Sequence, residues 1–248
     1  MFNQFSRPII FGHRGACAHA PENTVASFRL AVEEGADFVE LDAKLSKDSQ
    51  VMVIHDQTVD RTTNGSGRIN ELTRAELQAL DAGSKFAAQY AGEKIPTLDE
   101  VFKAVGQQIY VNVELTNYAS KKDDLIALVA EVVKANHMED RVIFSSFLPG
   151  NLKKIHVLIP QAPVAILCLP GIQGAVSRSS LMLGVSPKVV HPYLADTTAA
   201  MVKKEHARGR RVHVWTVNEA QDMENLLKMG VDGIFTDDPA KMKSILSK

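Results

Sequence analysis

Five side chains between positions 13 and 55 can do chemistry together: His13, Arg14, Glu40, Asp42 and His55. Glu40 and Asp42 are two apart, the spacing that puts both carboxylates on one face of a strand. Glu114 follows Asn112 at the same spacing further along, and completes a set of three oxygen ligands. Such a set suits a hard cation, Mg2+ or Ca2+, better than zinc, which favours imidazole or thiolate. The plainer reading makes these rim carboxylates, paired with Arg14 or a lysine. Burial inside a barrel would cost too much for an unpaired carboxylate. His13 and His55 have the pKa range for a base and an acid near neutrality, which phosphodiester cleavage needs. The planar fork of Arg14 can donate twice to phosphate oxygens. The combination points to a phosphate ester as substrate.

These residues need elements to carry them. Pro8 to Phe11 is an apolar run long enough for one strand, delivering His13 and Arg14 at its carboxyl end, where Gly15 lets the chain turn. Thr24 to Glu34 has helical spacing with Asn23 or Thr24 as cap. Phe38 to Leu45 alternates, with Glu40 and Asp42 on its polar face. No helix fits before Val51 to Ile54, so those two strands form a hairpin-like unit ending at His55. Residues 57–96 are rich in turns and read as a small inserted lobe, with a capping box at Thr73 and Glu76. A second box at Thr97 and Glu100 opens the next helix. Six further strands follow, at Ile109 to Leu115, Arg141 to Ser145, Val164 to Leu169, Lys188 to His191, Arg211 to Thr216 and Gly233 to Thr236. Helices lie between most of them, including Ala220 to Met229 with Asn218 as cap. Gly171 to Gly184 has no readable period.

Eight strands alternating with helices predict an α/β fold, a closed (β/α)8 TIM-type barrel forming one catalytic domain over residues 1–248. An open doubly wound sheet is the rival pattern. It lacks the glycine-rich dinucleotide and phosphate loops usual after a first strand. Polar residues at successive strand ends favour the barrel, whose strand ends converge on one mouth. His191 is a further candidate there. Trp215 and the run Ser145-Ser146-Phe147 read equally as packing or substrate contacts, while His213 alternates as a packed residue. No Gly-x-Ser-x-Gly elbow supports serine-esterase chemistry.

A formal net charge of -1 gives no general reason to bind nucleic acid or anionic membrane. No apolar run approaches a membrane span, and no signal-peptide pattern precedes Pro8. The two cysteines, Cys17 and Cys168, are expected reduced in a cytoplasmic protein without stable membrane association, as monomer or homodimer.

Taken together, His13-Arg14-Gly15, Pro21-Glu22-Asn23-Thr24, Glu40-Leu41-Asp42, His55-Asp56 and Arg61-Thr62-Thr63 resemble the glycerophosphodiester phosphodiesterase family. The resemblance continues through Leu80-Asp81-Ala82-Gly83, Ile95-Pro96-Thr97, Asn112-Val113-Glu114-Leu115, Trp215-Thr216-Val217-Asn218 and Gly230 to Asp237. It implies metal-dependent hydrolysis of deacylated phospholipid head-group esters to glycerol 3-phosphate and an alcohol. It places His13 and His55 as catalytic, Glu40, Asp42 and Glu114 as metal ligands, and Arg14, Asn23 and Trp215 around the substrate. One departure stands out: the family commonly has a lysine where this chain has Thr116, leaving Lys121 or Lys122 to reach the phosphate. The rival activities are a lysophospholipase D-like or sphingomyelinase D-like phosphodiesterase, or phosphate binding without catalysis.

Overall fold

Alternation along the strands builds the barrel. The computed structural model describes residues 1–5, 8–120, 123–186 and 188–247. Its strands are β1 (Ile9–Gly12), β2 (Phe38–Leu45), β3 (Val51–Val53), β4 (Tyr110–Leu115), β5 (Val142–Ser146), β6 (Val164–Cys168), β7 (Val189–Pro192), β8 (Arg211–Val214) and β9 (Gly233–Thr236). They pair in the order β1-β9-β8-β7-β6-β5-β4-β2-β3, and β1 also pairs with β2, which closes the ring. Apart from β3, which runs antiparallel to β2, every pairing is parallel. The result is a closed barrel of eight parallel strands with β3 appended beside β2.

Each strand sends one set of side chains inward and the other to the helices. Phe11, Phe38, Ile143, Val189 and Phe235 fill the inside, while Ile10, Val39, Leu41, Val111 and Val113 face the helical layer. Phe11 stacks on Phe235 at 4.3 Å and lies 4.7 Å from Phe38. Burying a ring of this size is worth about 1.5–3 kcal/mol. Phe2 and Phe5, from the amino-terminal segment, pack on Phe38 and Tyr110 and shut the floor. Inward residues near the carboxyl strand ends need not fill space, so that end is where polar groups collect.

The outer helices are α1 (Val25–Glu33), α2 (Arg74–Ala79), α3 (Leu98–Val105), α4 (Leu125–Ala135), α5 (Pro149–Leu158), α6 (Ile172–Ser177), α7 (Ala199–Ala207), α8 (Ala220–Met229) and α9 (Pro239–Leu246). Thr24 caps α1, and both capping boxes form as the sequence predicts, at Thr73 with Glu76 and Thr97 with Glu100. Two readings change. Glu219, not Asn218, precedes α8, and the Asn218 amide is spent on Asp237. The unreadable stretch from Gly171 holds α6, whose six residues are too few to show a period. Between β3 and α3, residues 57–96 carry α2 and short 3-10 turns, and their Val59, Ile69, Leu77 and Ile95 share an apolar cluster with Met52 and Ile54.

Gly15 makes the turn beyond β1 possible. Its φ is +91°, and a Cβ there would lie 2.2 Å from Ser27 Oγ. Gly15→Ala should therefore cost roughly 1–3 kcal/mol, read as a lower denaturant midpoint with unchanged slope.

Candidate active site

Strand register assembles the site. β2 and β4 pair with Glu40 opposite Asn112 and Asp42 opposite Glu114, so the inward carboxylates sit side by side. Oxygens of Glu40, Asp42 and Glu114 lie within 4.8 Å of one another. Glu40 and Asp42 are 3 % and 1 % exposed. Burial raises Glu40 well above the carboxylate range, helped by the charges of Asp42 and Glu114. Burial and Asp42 likewise push Glu114 up to about 8, against a hydrogen bond from Tyr118. Burial also works to raise Asp42, but Arg14, His55, Lys44 and the Asn23 amide together hold it below its ordinary value. Among the described residues neither Glu40 nor Glu114 forms a salt bridge. Three crowded carboxylates, two of them with raised pKa values, fit a divalent cation, and an all-oxygen donor set fits a hard one.

β1 and β9 pair with Gly12 opposite Thr236, which brings the next residues, His13 and Asp237, together. His13 Nδ1 lies 2.7 Å from Asp237 Oδ1. Burial would raise Asp237, but its bonds from His13, Cys17 and Asn218 keep the carboxyl down at about 2. It stays ionised and accepts from Nδ1, which fixes the ring and leaves Nε2 as the nitrogen available for proton transfer. His55 follows the β2–β3 hairpin, where Ile54 N donates to Asp42 O at 2.9 Å. Its Nδ1 lies 2.7 Å from Asp56 Oδ1. The Arg61 hydrogen bond, first of all, lowers the Asp56 carboxyl. Both histidines are thus oriented by an ionised aspartate, and both line one cavity.

That cavity, of about 140 Å³, has two unlike walls. His13, Arg14, Glu40, Asp42, His55 and Glu114 form the polar one, and Phe147, Leu167, Trp215 and Phe235 the apolar one. Arg14 adopts a left-handed φ of 54°, which aims its N–H at Glu40 Oε2, 2.9 Å away. Such backbone persists where its surroundings hold it, and here Ser27 Oγ and Asn23 N both donate to Arg14 O. The guanidinium is shared with Glu22 at 3.0 Å and Asp42 at 3.6 Å. Arg61 joins Glu22 to Asp56 through four hydrogen bonds of 2.6–3.1 Å, which ties the Arg14 side of the site to His55.

Some expected contacts lie elsewhere. Asn23 sits behind Asp42, donating to Oδ2 at 2.9 Å, and does not line the cavity. Trp215 lines it, with its indole N–H donating to His191 O. His191 itself is not at the mouth: it is fully buried against Phe11, Phe235 and His213, and burial lowers its pKa to about 3. Ser145 lines the cavity and accepts from Asn112, whereas Ser146 bonds Leu115 O. Lys121 and Lys122 lie outside the described residues.

The glycerophosphoryl diester phosphodiesterase family model matches residues 13–241. This chain belongs to that family. It is 37 % identical over 243 residues to a glycerophosphodiester phosphodiesterase of Caldanaerobacter subterraneus subsp. tengcongensis, covering 98 % of this chain and 99 % of that one. It is 31 % identical to a phosphodiesterase of Oleispira antarctica solved in complex with the product sn-glycerol-3-phosphate, with a TM-score of 0.90 and 98 % of each chain covered. A lysophospholipase D of Homo sapiens is 27 % identical over 94 % of this chain and 84 % of its own. No helix among the described residues is long and apolar enough to cross a membrane.

Several residues of the site were not read from sequence as parts of it. Glu22, Arg61 and Asp237 orient others, and Tyr118 donates to Glu114. Lys44 is the most informative. It lies two residues beyond Asp42 on the same inward face and donates to Thr116 Oγ1 at 2.7 Å. A buried lysine from β2 thus sits against Thr116, the position at which the sequence resemblance led one to expect a lysine, without lining the cavity. The alternation that exposed Glu40 and Asp42 extends to Lys44 and could have found it. Asp237 ends an apolar strand just as His13 and His55 do.

Proposed function

We propose that this protein hydrolyses glycerophosphodiesters to glycerol 3-phosphate and an alcohol. The observation that carries the reading is the pair of aspartate-oriented histidines flanking three clustered carboxylates in one cavity. Glu40, Asp42 and Glu114 would hold one divalent cation, Mg2+ or Ca2+. Bound there, the cation would supply charge stabilisation for the phosphoryl oxygens.

The chain's own groups do the rest. Arg14 faces the same cavity and donates to the phosphate. His13, held through Nδ1 by Asp237, takes the proton of the attacking hydroxyl at Nε2, and Asp237 stabilises the imidazolium that forms. His55 gives its proton to the departing head-group oxygen, with Asp56 holding the ring. Trp215, Phe147 and Leu167 pack against the carbon skeleton and exclude water from that wall. A substrate hydroxyl held beside the phosphorus would attack at a high effective concentration, and trapping a 1,2-cyclic glycerol phosphate would identify that route.

Purified protein with Mg2+ or Ca2+ should release glycerol 3-phosphate from glycerophosphocholine or glycerophosphoethanolamine, measured by coupled oxidation of the product. Binding of glycerol 3-phosphate without turnover of any such diester would leave only the phosphate-binding reading. The apolar wall also supports a second reading, lysophospholipase D-like action on a substrate that keeps one acyl chain. Relative kcat/KM on glycerophosphocholine and its lyso-form decides between them.

A further inference from the structure

A second set of metal-ligating atoms lies behind His13, apart from the carboxylates. His13 Nδ1, Cys17 Sγ and an Asp237 carboxylate oxygen all fall within 4.8 Å of one another. Backbone bonds build this arrangement: His13 N donates to Thr236 O and Ala18 N to Asp237 O, both at 2.9 Å. The loop after β1 is thereby folded onto the end of β9. Cys17 Sγ then donates to Asp237 Oδ1 at 3.1 Å, the oxygen that also meets His13 Nδ1 at 2.7 Å. The other Asp237 oxygen is held by Asn218 at 2.6 Å. Cys17 also lines a separate cavity of about 150 Å³ with Glu22, Arg61 and Lys85, so the thiol side of the cluster borders open space.

The donor set is one nitrogen, one sulfur and one oxygen. Three protein ligands with an open fourth position are what a tetrahedral zinc ion takes, and thiolate and imidazole favour zinc over magnesium or calcium. The two clusters therefore sort cations by donor chemistry. Tetrahedral angles and ordinary zinc bond lengths put the nitrogen–oxygen and sulfur–oxygen separations at about 3.3 and 3.6 Å. The present contacts would need to open by only about half an ångström to reach them. Burial and the Asp237 charge both push the Cys17 thiol up, which keeps it protonated until a cation offsets that charge.

We infer that His13, Cys17 and Asp237 form an inhibitory site for zinc or a similar borderline-soft divalent cation. On binding, the Cys17 thiol loses its proton to solvent and the sulfur ligates as thiolate. The Nδ1 proton is displaced, and a neutral imidazole ligated through Nδ1 carries its one proton on Nε2. The cavity-facing nitrogen then has no lone pair with which to accept a proton. Loss of turnover rests on the proposed role of His13 as base; metal binding does not.

Cobalt(II) added to magnesium-saturated protein should produce a near-ultraviolet thiolate-to-cobalt absorption. The band should be missing in Cys17→Ala and Cys17→Ser. Cys168 is 0 % exposed and cannot supply it. In parallel, zinc titrated into magnesium-saturated turnover of glycerophosphocholine should inhibit, with recovery on adding chelator and fresh magnesium. Each Cys17 variant, read against its own zinc-free rate, should need at least roughly 10- to 100-fold more zinc for half inhibition. A cobalt band that persists in Cys17→Ala overturns the site. So does equal zinc inhibition of variants and wild type, which would mean displacement of magnesium from the carboxylates. A cobalt band that depends on Cys17 in a protein without turnover supports the site and sinks the proposed function instead.

Discussion

Stripping divalent cations should abolish turnover, and Mg2+ or Ca2+ should restore it. Glu40→Gln should weaken cation affinity by at least roughly 10- to 100-fold in a calorimetric titration, since even partners outside the direct ligands are worth that much. The reason is electrostatic: burial and mutual repulsion disfavour three ionised carboxylates at Glu40, Asp42 and Glu114 unless a cation stands among them. A stability effect follows from the same crowding. Without cation, Glu114 titrates at about 8 and Glu40 well above its ordinary value, against about 4.3 in an unfolded chain. The folded state then binds the extra protons, so this contribution is complete below about 4.3 and is lost as pH rises through the folded values. Chelated protein should show a melting temperature that falls from about pH 4 toward pH 8 relative to the cation-loaded protein. Full activity in chelator-treated, metal-free protein would falsify the ligand assignment.

Much of this site was legible because period-two alternation is a local property. Glu40, Asp42 and Lys44 interrupt an otherwise apolar strand, and the energetic oddity of inward carboxylates is visible without coordinates. Ring closure was legible only by count, because the β1–β9 pairing that closes the barrel joins the two ends of the chain. The same limit hid the partners of the histidines. Asp56 is adjacent to His55, but Asp237 lies 224 residues from His13, and only the register of β1 against β9 brings them together. Asn218 misled for a related reason. Its spacing before α8 satisfies the rule for a cap, yet the buried end of β9 offers it a charged acceptor at 2.6 Å. His191 also followed a sound rule, a polar residue at a strand end, but its ring packs beneath the mouth among aromatics.

The two histidines should separate by leaving group. Each histidine→Ala variant is expected to keep its fold and lose roughly 10²- to 10⁴-fold in rate, the usual worth of general acid or base catalysis. Both rings carry the same Nδ1–aspartate pairing, so the proposed division, His55 as acid and His13 as base, is decided by the leaving group. An acid matters in proportion to how poor the leaving group is. A diester of glycerol phosphate with nitrophenol needs little protonation as it departs, so His55→Ala should recover much of its lost rate on that substrate. His13→Ala should stay slow, because the attacking hydroxyl still needs its base. The measurement is the ratio of variant to wild-type kcat/KM on the nitrophenyl ester and on glycerophosphocholine. Equal rescue of both variants, or of neither, rejects the division of roles while leaving both residues in the site. Rescue of His13→Ala alone would reverse the assignment, making Asp237 the partner of the acid and Asp56 the partner of the base.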